Sequence, residues 1–286
     1  MISKNKLKSY IELARIDKPI GIYLLLWPAI LGLLLAGTVD EIKIINLLIV
    51  IIGSILVRSC GCVINDISDY KIDKLVSRTV GRPLATGALS LSEAWVFFLF
   101  LGLMSISLLL LTNPLTIKMG IFFAIFIIVY PLTKRFFKAP QFFLGVTFGS
   151  GSLISYSLVT SSLTLSIIIL YLGLIAWIIS FDTYYALEDI EDDRNLGVNS
   201  TAILWGDSAI KIARLLHLLF YVSILVIAIM NSFSYYFFLV FIALFLIFMY
   251  QNKLTDDEKF LAAFKANNWV GMLTVIGFTL EIIILN

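Results

Sequence analysis

The chain has 286 residues, 60% of them hydrophobic and 14% charged, with a net charge of +2. A soluble domain carries roughly 45–50% apolar and about 25% charged residues, so this composition excludes a disordered chain, a nucleic-acid-binding tail and an ordinary cytosolic enzyme. Two cysteines cannot build a disulfide framework, and a mean hydropathy of +1.00 points to an integral membrane protein.

The polar, amphipathic segment 1–18 comes first. The apolar run behind it is a full span without a small-residue cleavage site, so no cleavable signal is expected. A helix crosses a bilayer with roughly 20 mostly apolar residues. Nine stretches meet that length in chain order, roughly 19–37, 45–64, 92–112, 115–133, 141–160, 163–188, 210–230, 233–250 and 266–285. Barrel strands would be about 10 residues long and would alternate; runs such as Ile44–Val57 do not. The expectation is an all-α bundle of about nine transmembrane helices forming a single domain over 1–286.

Lys43 and Lys118 alone among the basic residues fall near the loops after spans one and three; the rest lie in the N-terminal segment, in the loops after spans two, four, six and eight, or in adjoining helix ends. Positive loops stay in the cytoplasm. The N-terminus is therefore expected inside and, with an odd span count, the C-terminus outside.

Acidic side chains at membrane depth mark function, and here they cluster at the cytoplasmic ends of spans two and six. Asn65, Asp69 and Asp73 are spaced i, i+4, i+8. At about 100° per residue they drift by only about 40° per step, so they share one helix face. Like charges in a row need a cation, and an all-oxygen set suits Mg²⁺, which completes its shell with water and phosphate. Asp189 and Asp193 repeat the i, i+4 pair, with Asp182 seven residues earlier facing the same way one layer deeper. Solvated loop acids would be the bland reading of one such pair. Two rows with matching spacing at matching span ends favour two halves of one metal–diphosphate site. Asp66, Glu188, Glu191 and Asp192 point off these faces and are expected to be solvated or to support the rows from behind.

Basic and Gly-rich loops follow: Lys74, Arg78 and Arg82–Gly87 after the first row, Arg194–Gly206 after the second, and Lys134, Arg135 and Lys138 after span four. Cations beside a metal are what a diphosphate requires. The positive-inside rule alone would explain any single one of them; Arg78, close behind Asp73, is the first candidate, then Lys134 and Arg135. Arg58 lies seven residues before Asn65, about two turns deeper on the acid face. It could pair with Asp182 or hold an anionic group of a second substrate, and spacing leaves both open. His217, Cys60 and Cys62 read as packing residues. A few of the 22 Phe and 12 Tyr could line a carbocation pocket.

The stretch Asn65–Asp73 has the form N-D-x-x-D-x-x-x-D and is followed by R-x-x-x-R-P-L-x-x-G at 78–87. The stretch 182–206 reads D-T-x-Y-A-x-x-D-x-x-x-D, then G-x-x-S-T-A-I-L-x-G. With Arg15–Gly21, Leu25–Pro28 and Tyr130–Arg135, these resemble the UbiA family of intramembrane prenyltransferases over nearly the whole chain. Glu191 is a conservative departure within an acidic run. The resemblance implies a nine-helix bundle around a central cavity open to the membrane and capped by cytoplasmic loops, in a bacterial inner membrane. It implies Mg²⁺ on Asn65, Asp69, Asp73, Asp189 and Asp193, with the four aspartates catalytic. It implies substrate contacts from Arg58, Arg78, Lys134, Arg135, Asp182 and Tyr185, with Arg58 meeting an aromatic carboxylate. The implied substrates are a polyprenyl diphosphate and 4-hydroxybenzoate, as in ubiquinone synthesis, with membrane lipid around the chain and no nucleic acid. Other acceptors (a naphthoate, haem or a lipid alcohol), a cation transporter and an assembly protein are the rival readings.

Overall fold

The computed structural model describes residues 4–37, 41–76 and 79–284, and every regular element among them is helical. In chain order these are α1 (Lys4–Leu13), α2 (Ile20–Leu35), α3 (Ile44–Asp69), α4 (Pro83–Thr86), α5 (Leu91–Leu109), α6 (Pro114–Thr133), α7 (Gln141–Tyr156), α8 (Leu165–Glu188), α9 (Ile190–Leu196), α10 (Thr201–Trp205), α11 (Ala209–Met230), α12 (Phe237–Asp256) and α13 (Phe260–Ile284). Among the described residues, six helical stretches are long and apolar enough to cross a membrane: Ile44–Asp69, Leu91–Leu109, Pro114–Thr133, Leu165–Glu188, Thr201–Met230 and Phe237–Asp256. The chain is an all-helical integral membrane protein.

Local chemistry sets several helix ends. Ser90 and Glu93 form a reciprocal capping box at the start of α5, satisfying donors that the first turn leaves open. The Asn113 carboxamide oxygen accepts from the N–H groups of Leu115 and Thr116, and Pro114 opens α6 with its pre-set φ. Gly87 ends α4 at φ +78° and Gly197 ends α9 at φ +64°, conformations that L side chains rarely adopt.

Packing falls into a buried centre and a lipid-facing rim. α8 is mostly buried and α5 mostly exposed, with Val96, Leu99, Phe100 and Leu103 of α5 pointing outward. Between apolar helices in lipid, close fit and polar contacts do the holding. α2 meets α7 through small residues: Gly32 lies directly on the Ser152 backbone, and the Ser155 hydroxyl donates to the Ala29 carbonyl at 2.5 Å. The fully buried Trp177 of α8 stacks on Phe220 of α11 at 4.9 Å and donates its indole N–H to Asn267 of α13 at 2.7 Å. Trp27 of α2 does the same to Asn268 at 2.9 Å. Such interhelical hydrogen bonds contribute about 0.6 kcal/mol on average, and these two fix α13 against both α8 and α2.

The helix boundaries differ from the sequence expectation where polar residues take part. α3 runs on past position 64 to Asp69, and α13 starts at Phe260 rather than 266. An amphipathic turn continues a helix as well as an apolar one once its polar face borders a cavity, and that is what happens at the end of α3 and the start of α13.

Candidate active site

A cavity of about 840 Å³ opens among α2, α3, α6, α7, α8 and the start of α13. Asn65, Asp69 and Asp73 border it on one side and Asp182, Asp189, Asp193 and Tyr185 on the other. Both i, i+4 acid pairs are held by the same local bond: the Asp73 N–H donates to the Asp69 carbonyl, and the Asp193 N–H to the Asp189 carbonyl, each at 2.9 Å. The second pair does not lie on one continuous helix. Asp189 is the junction between α8 and α9, with φ −97° and ψ 7°, so its row bends where the first runs on as a helical turn beyond α3.

The first row is already matched by basic groups. The Lys134 ammonium contacts Asp69 Oδ2. Arg135 donates to the Ser68 carbonyl at 2.7 Å and stands 3.6 Å from Asp69 Oδ1. Arg82 Nη1 donates to both oxygens of Asp73, at 3.0 and 2.8 Å, and to Asp66 Oδ1 at 3.1 Å. Asp66 also accepts from Arg15 Nη2 with both oxygens, at 2.9 and 2.8 Å. Asp66 is 1% exposed, so of the two expectations for it, solvation is wrong and support from behind is right. Burial works against the charge on Arg82, but Asp66 and Asp73 outweigh it and hold the guanidinium above its ordinary pKa. The Thr79 hydroxyl donates to the Asp73 carbonyl at 3.0 Å, closing the turn that returns Arg82 to the row.

Arg58 lies deeper on the same face of α3, by about 10 Å from seven residues at 1.5 Å each. Its guanidinium sits 5.4 Å from the Phe148 ring centroid, and its buried Nε has no hydrogen-bond partner. A Cβ on Gly21 would come within 2.6 Å of Nε and Nη2, so a glycine there makes room for the guanidinium. Arg58 and Asp182 both border the cavity but form no ion pair with each other among the described residues. Tyr130, Phe148, Phe181, Tyr185 and Phe264 all border the cavity, with Tyr185 and Phe264 edge-to-face at 5.0 Å.

The structure thus brings together Asn65, Asp69, Asp73, Asp182, Tyr185, Asp189, Asp193, Arg58 and Lys134. Arg135 reaches the first row from its exposed side. Arg78 lies outside the described residues. His217 is buried away from the cavity, edge-on to Tyr221 and Phe248, as a packing residue. Sequence reasoning missed the roles of Arg15 and Arg82 and left that of Asp66 open between solvent and support. The signal was present, since Arg15 opens one quoted motif and Arg82 sits in another, but spacing along one helix cannot show a pairing across 51 residues.

The donor set fits a hard divalent cation. It is all carboxylate and carboxamide oxygen, and among the described residues Asp69 Oδ1 is buried with no hydrogen-bond donor, the Arg135 guanidinium lying 3.6 Å from it. Among the described residues no three acidic, His or Cys side chains converge closely enough to cage a metal unaided.

The cavity is acid-lined and aromatic-walled and lies inside an all-helical membrane protein. The sequence matches the UbiA prenyltransferase family over residues 25–272, and the chain belongs to that family. It is 38% identical to a 4-hydroxybenzoate octaprenyltransferase of Shewanella loihica, over 96% of this chain and 97% of that one. The fold matches the apo structure of a UbiA homolog from Aeropyrum pernix K1 with a TM-score of 0.80, at 22% identity, covering 91% of this chain and 97% of that one. A UbiA homolog from Archaeoglobus fulgidus bound to GPP and Mg²⁺ gives a TM-score of 0.75 at 16% identity, over 96% and 99% of the two chains.

Proposed function

We propose that this protein transfers a polyprenyl group from polyprenyl diphosphate to the ring carbon ortho to the hydroxyl of 4-hydroxybenzoate, a step of ubiquinone biosynthesis. The observation that carries the reading is the pairing of depths in one cavity. Two acid rows lie at the rim, and a guanidinium with an unpartnered Nε lies about two turns below them beside the Phe148 ring. The likeness in sequence to a 4-hydroxybenzoate octaprenyltransferase supports the choice of acceptor.

Asn65, Asp69, Asp73, Asp189 and Asp193 would hold Mg²⁺, which when bound supplies positive charge against the leaving diphosphate. The Archaeoglobus neighbour bound to GPP and Mg²⁺ supports that assignment. Lys134 and Arg135 stand beside Asp69 and reach a diphosphate laid over the first row; Arg78 is assigned there by its place in the sequence. The allylic C–O bond breaks in a site whose aromatic faces favour a carbocation. Arg58 grips the benzoate carboxylate through parallel hydrogen bonds and so aims the ring at the cation. Asp182 and Tyr185 line the path between the two. Attack from the ring carbon forms the new C–C bond at the cost of aromaticity, and transfer of the proton on that carbon to the released diphosphate or to water restores it. Positioning and electrostatics supply the catalysis, and the prenyl tail lies among apolar side chains or lipid.

The same reading gives a single domain over 1–286 with nine spans around a central cavity in a bacterial inner membrane, the N-terminus and acid rows cytoplasmic. Membranes carrying the protein, given Mg²⁺ and a polyprenyl diphosphate, should prenylate 4-hydroxybenzoate in preference to a hydroxynaphthoate, haem or a glycerol phosphate ether. Product identification by mass spectrometry reads the outcome, and preference for another acceptor would replace 4-hydroxybenzoate in this account.

A further inference from the structure

Six basic side chains among the described residues border the cavity: Arg15, Lys18, Arg58, Arg82, Lys134 and Lys265. Arg15, Arg82 and Lys134 are held by Asp66, Asp73 and Asp69. For any of them to take a phosphate, an existing ion pair must first loosen. Arg58 lies too deep for the rim. Lys18 and Lys265 remain: both are exposed, and neither makes an ion pair among the described residues.

Lys265 is placed by two contacts at the start of α13. Glu188, the last residue of α8, accepts from the Leu261 N–H at 3.1 Å and ties the first turn of α13 to the helix that leads into the second acid row. Phe264 packs edge-on against Tyr185 at 5.0 Å. Lys265 is the next residue, one turn beyond Leu261, so its ammonium is delivered to the cavity mouth on the side of Asp189 and Asp193. Lys18 comes to the mouth from the turn between α1 and α2.

We infer that Lys265, with Lys18 as a second contact at the mouth, is a binding residue for the diphosphate, meeting its terminal phosphate before the partnered cations do. The inference rests on the prenyl-diphosphate reading above. A compact ammonium on a flexible four-carbon stem suits this task, because it follows a phosphate by several ångströms without the fixed geometry that a guanidinium fork imposes. The paired cations then act only once the substrate is seated. Lys265 was invisible to sequence reasoning because it stands ahead of an apolar run, where the positive-inside rule accounts for it equally well.

The test is calorimetric titration of the full-length protein in detergent with Mg²⁺, using inorganic pyrophosphate and an unreactive geranyl thiolodiphosphate as probes. Lys265→Gln should weaken both by about ten-fold, the loss of one charge-assisted hydrogen bond, and leave the affinity for 4-hydroxybenzoate unchanged, with Lys265→Arg restoring only part of the loss through its charge. Adding Lys18→Gln should weaken both probes further. Unchanged pyrophosphate affinity in Lys265→Gln, with wild-type protein binding normally, would overturn the role of Lys265 alone. An equal fall in 4-hydroxybenzoate affinity would make the lysine structural and overturn it too. Failure of the wild-type protein to bind either probe would remove the diphosphate reading and this inference with it.

Discussion

The two acid segments share a spacing and a backbone hydrogen bond, yet they are built differently. In the first, Asp66, Asp69 and Asp73 are 1%, 2% and 5% exposed and meet Arg15, Arg82 and Lys134 in direct ion pairs. In the second, Asp182, Asp189 and Asp193 are only half-buried, and the helix bends at Asp189. Burying a carboxylate is tolerable only with a partner, so the first row had to bring its own cations from distant parts of the chain. In the second, Asp189 and Asp193 keep more of their surface exposed. Row one is therefore part of the scaffold as well as of the site.

The sharpest way to break this contrast is to remove Asp66. Asp66→Ala leaves Arg15 and Arg82 facing each other without their shared acid. Each guanidinium keeps about a fifth of its surface exposed, so the cost should fall at the low end of the range for a broken buried pair, about 3 kcal/mol. Asp193→Ala, at a half-buried position, should cost less, about 1 kcal/mol, while still abolishing turnover. Thermal melts of both variants in the same detergent check this; equal losses would erase the distinction between the rows.

Arg58 extends the comparison to depth. A lysine cannot reproduce its fork, so Arg58→Lys should raise the KM for 4-hydroxybenzoate at least ten-fold, about 1.4 kcal/mol, and leave the KM for the polyprenyl diphosphate nearly unchanged. Equal damage to both constants would make Arg58 structural.

A smaller effect is expected at Glu188, which holds the start of α13 against the end of α8. Glu188→Ala removes an acceptor from a first-turn N–H and should cost about 0.5–1 kcal/mol without abolishing turnover. Activity and a melt on the same preparation suffice to read it.

Much of this molecule was legible in its sequence. Apolar stretches of span length gave the helices, and the i, i+4, i+8 spacing of Asn65, Asp69 and Asp73 gave a shared face that does border the cavity. Arg58, placed by counting two turns, is also on that wall. What the spacing hid has a common cause. Asp66 is off the acid face of α3, so periodicity sends it toward solvent; residues 15 and 82 come back to cover it, and such returns leave no local signature. The second row read as one helix because Asp189 and Asp193 keep their i, i+4 bond even though the helix breaks at Asp189. Lys265 is a single charge ahead of a greasy run, and only the Glu188 and Phe264 contacts show where it points.

The central claim is that the two rows act together on a metal-held diphosphate to prenylate 4-hydroxybenzoate. The most direct test is to follow formation of 3-polyprenyl-4-hydroxybenzoate by the purified protein with and without Mg²⁺, alongside Asp69→Ala and Asp189→Ala. The account predicts product only from the wild-type protein with the metal present, loss of product in chelator with recovery on re-addition of Mg²⁺, and at least a thousand-fold fall in each variant, about 4 kcal/mol of transition-state stabilisation. Undiminished product in excess chelator, or a wild-type rate from either variant, would contradict it.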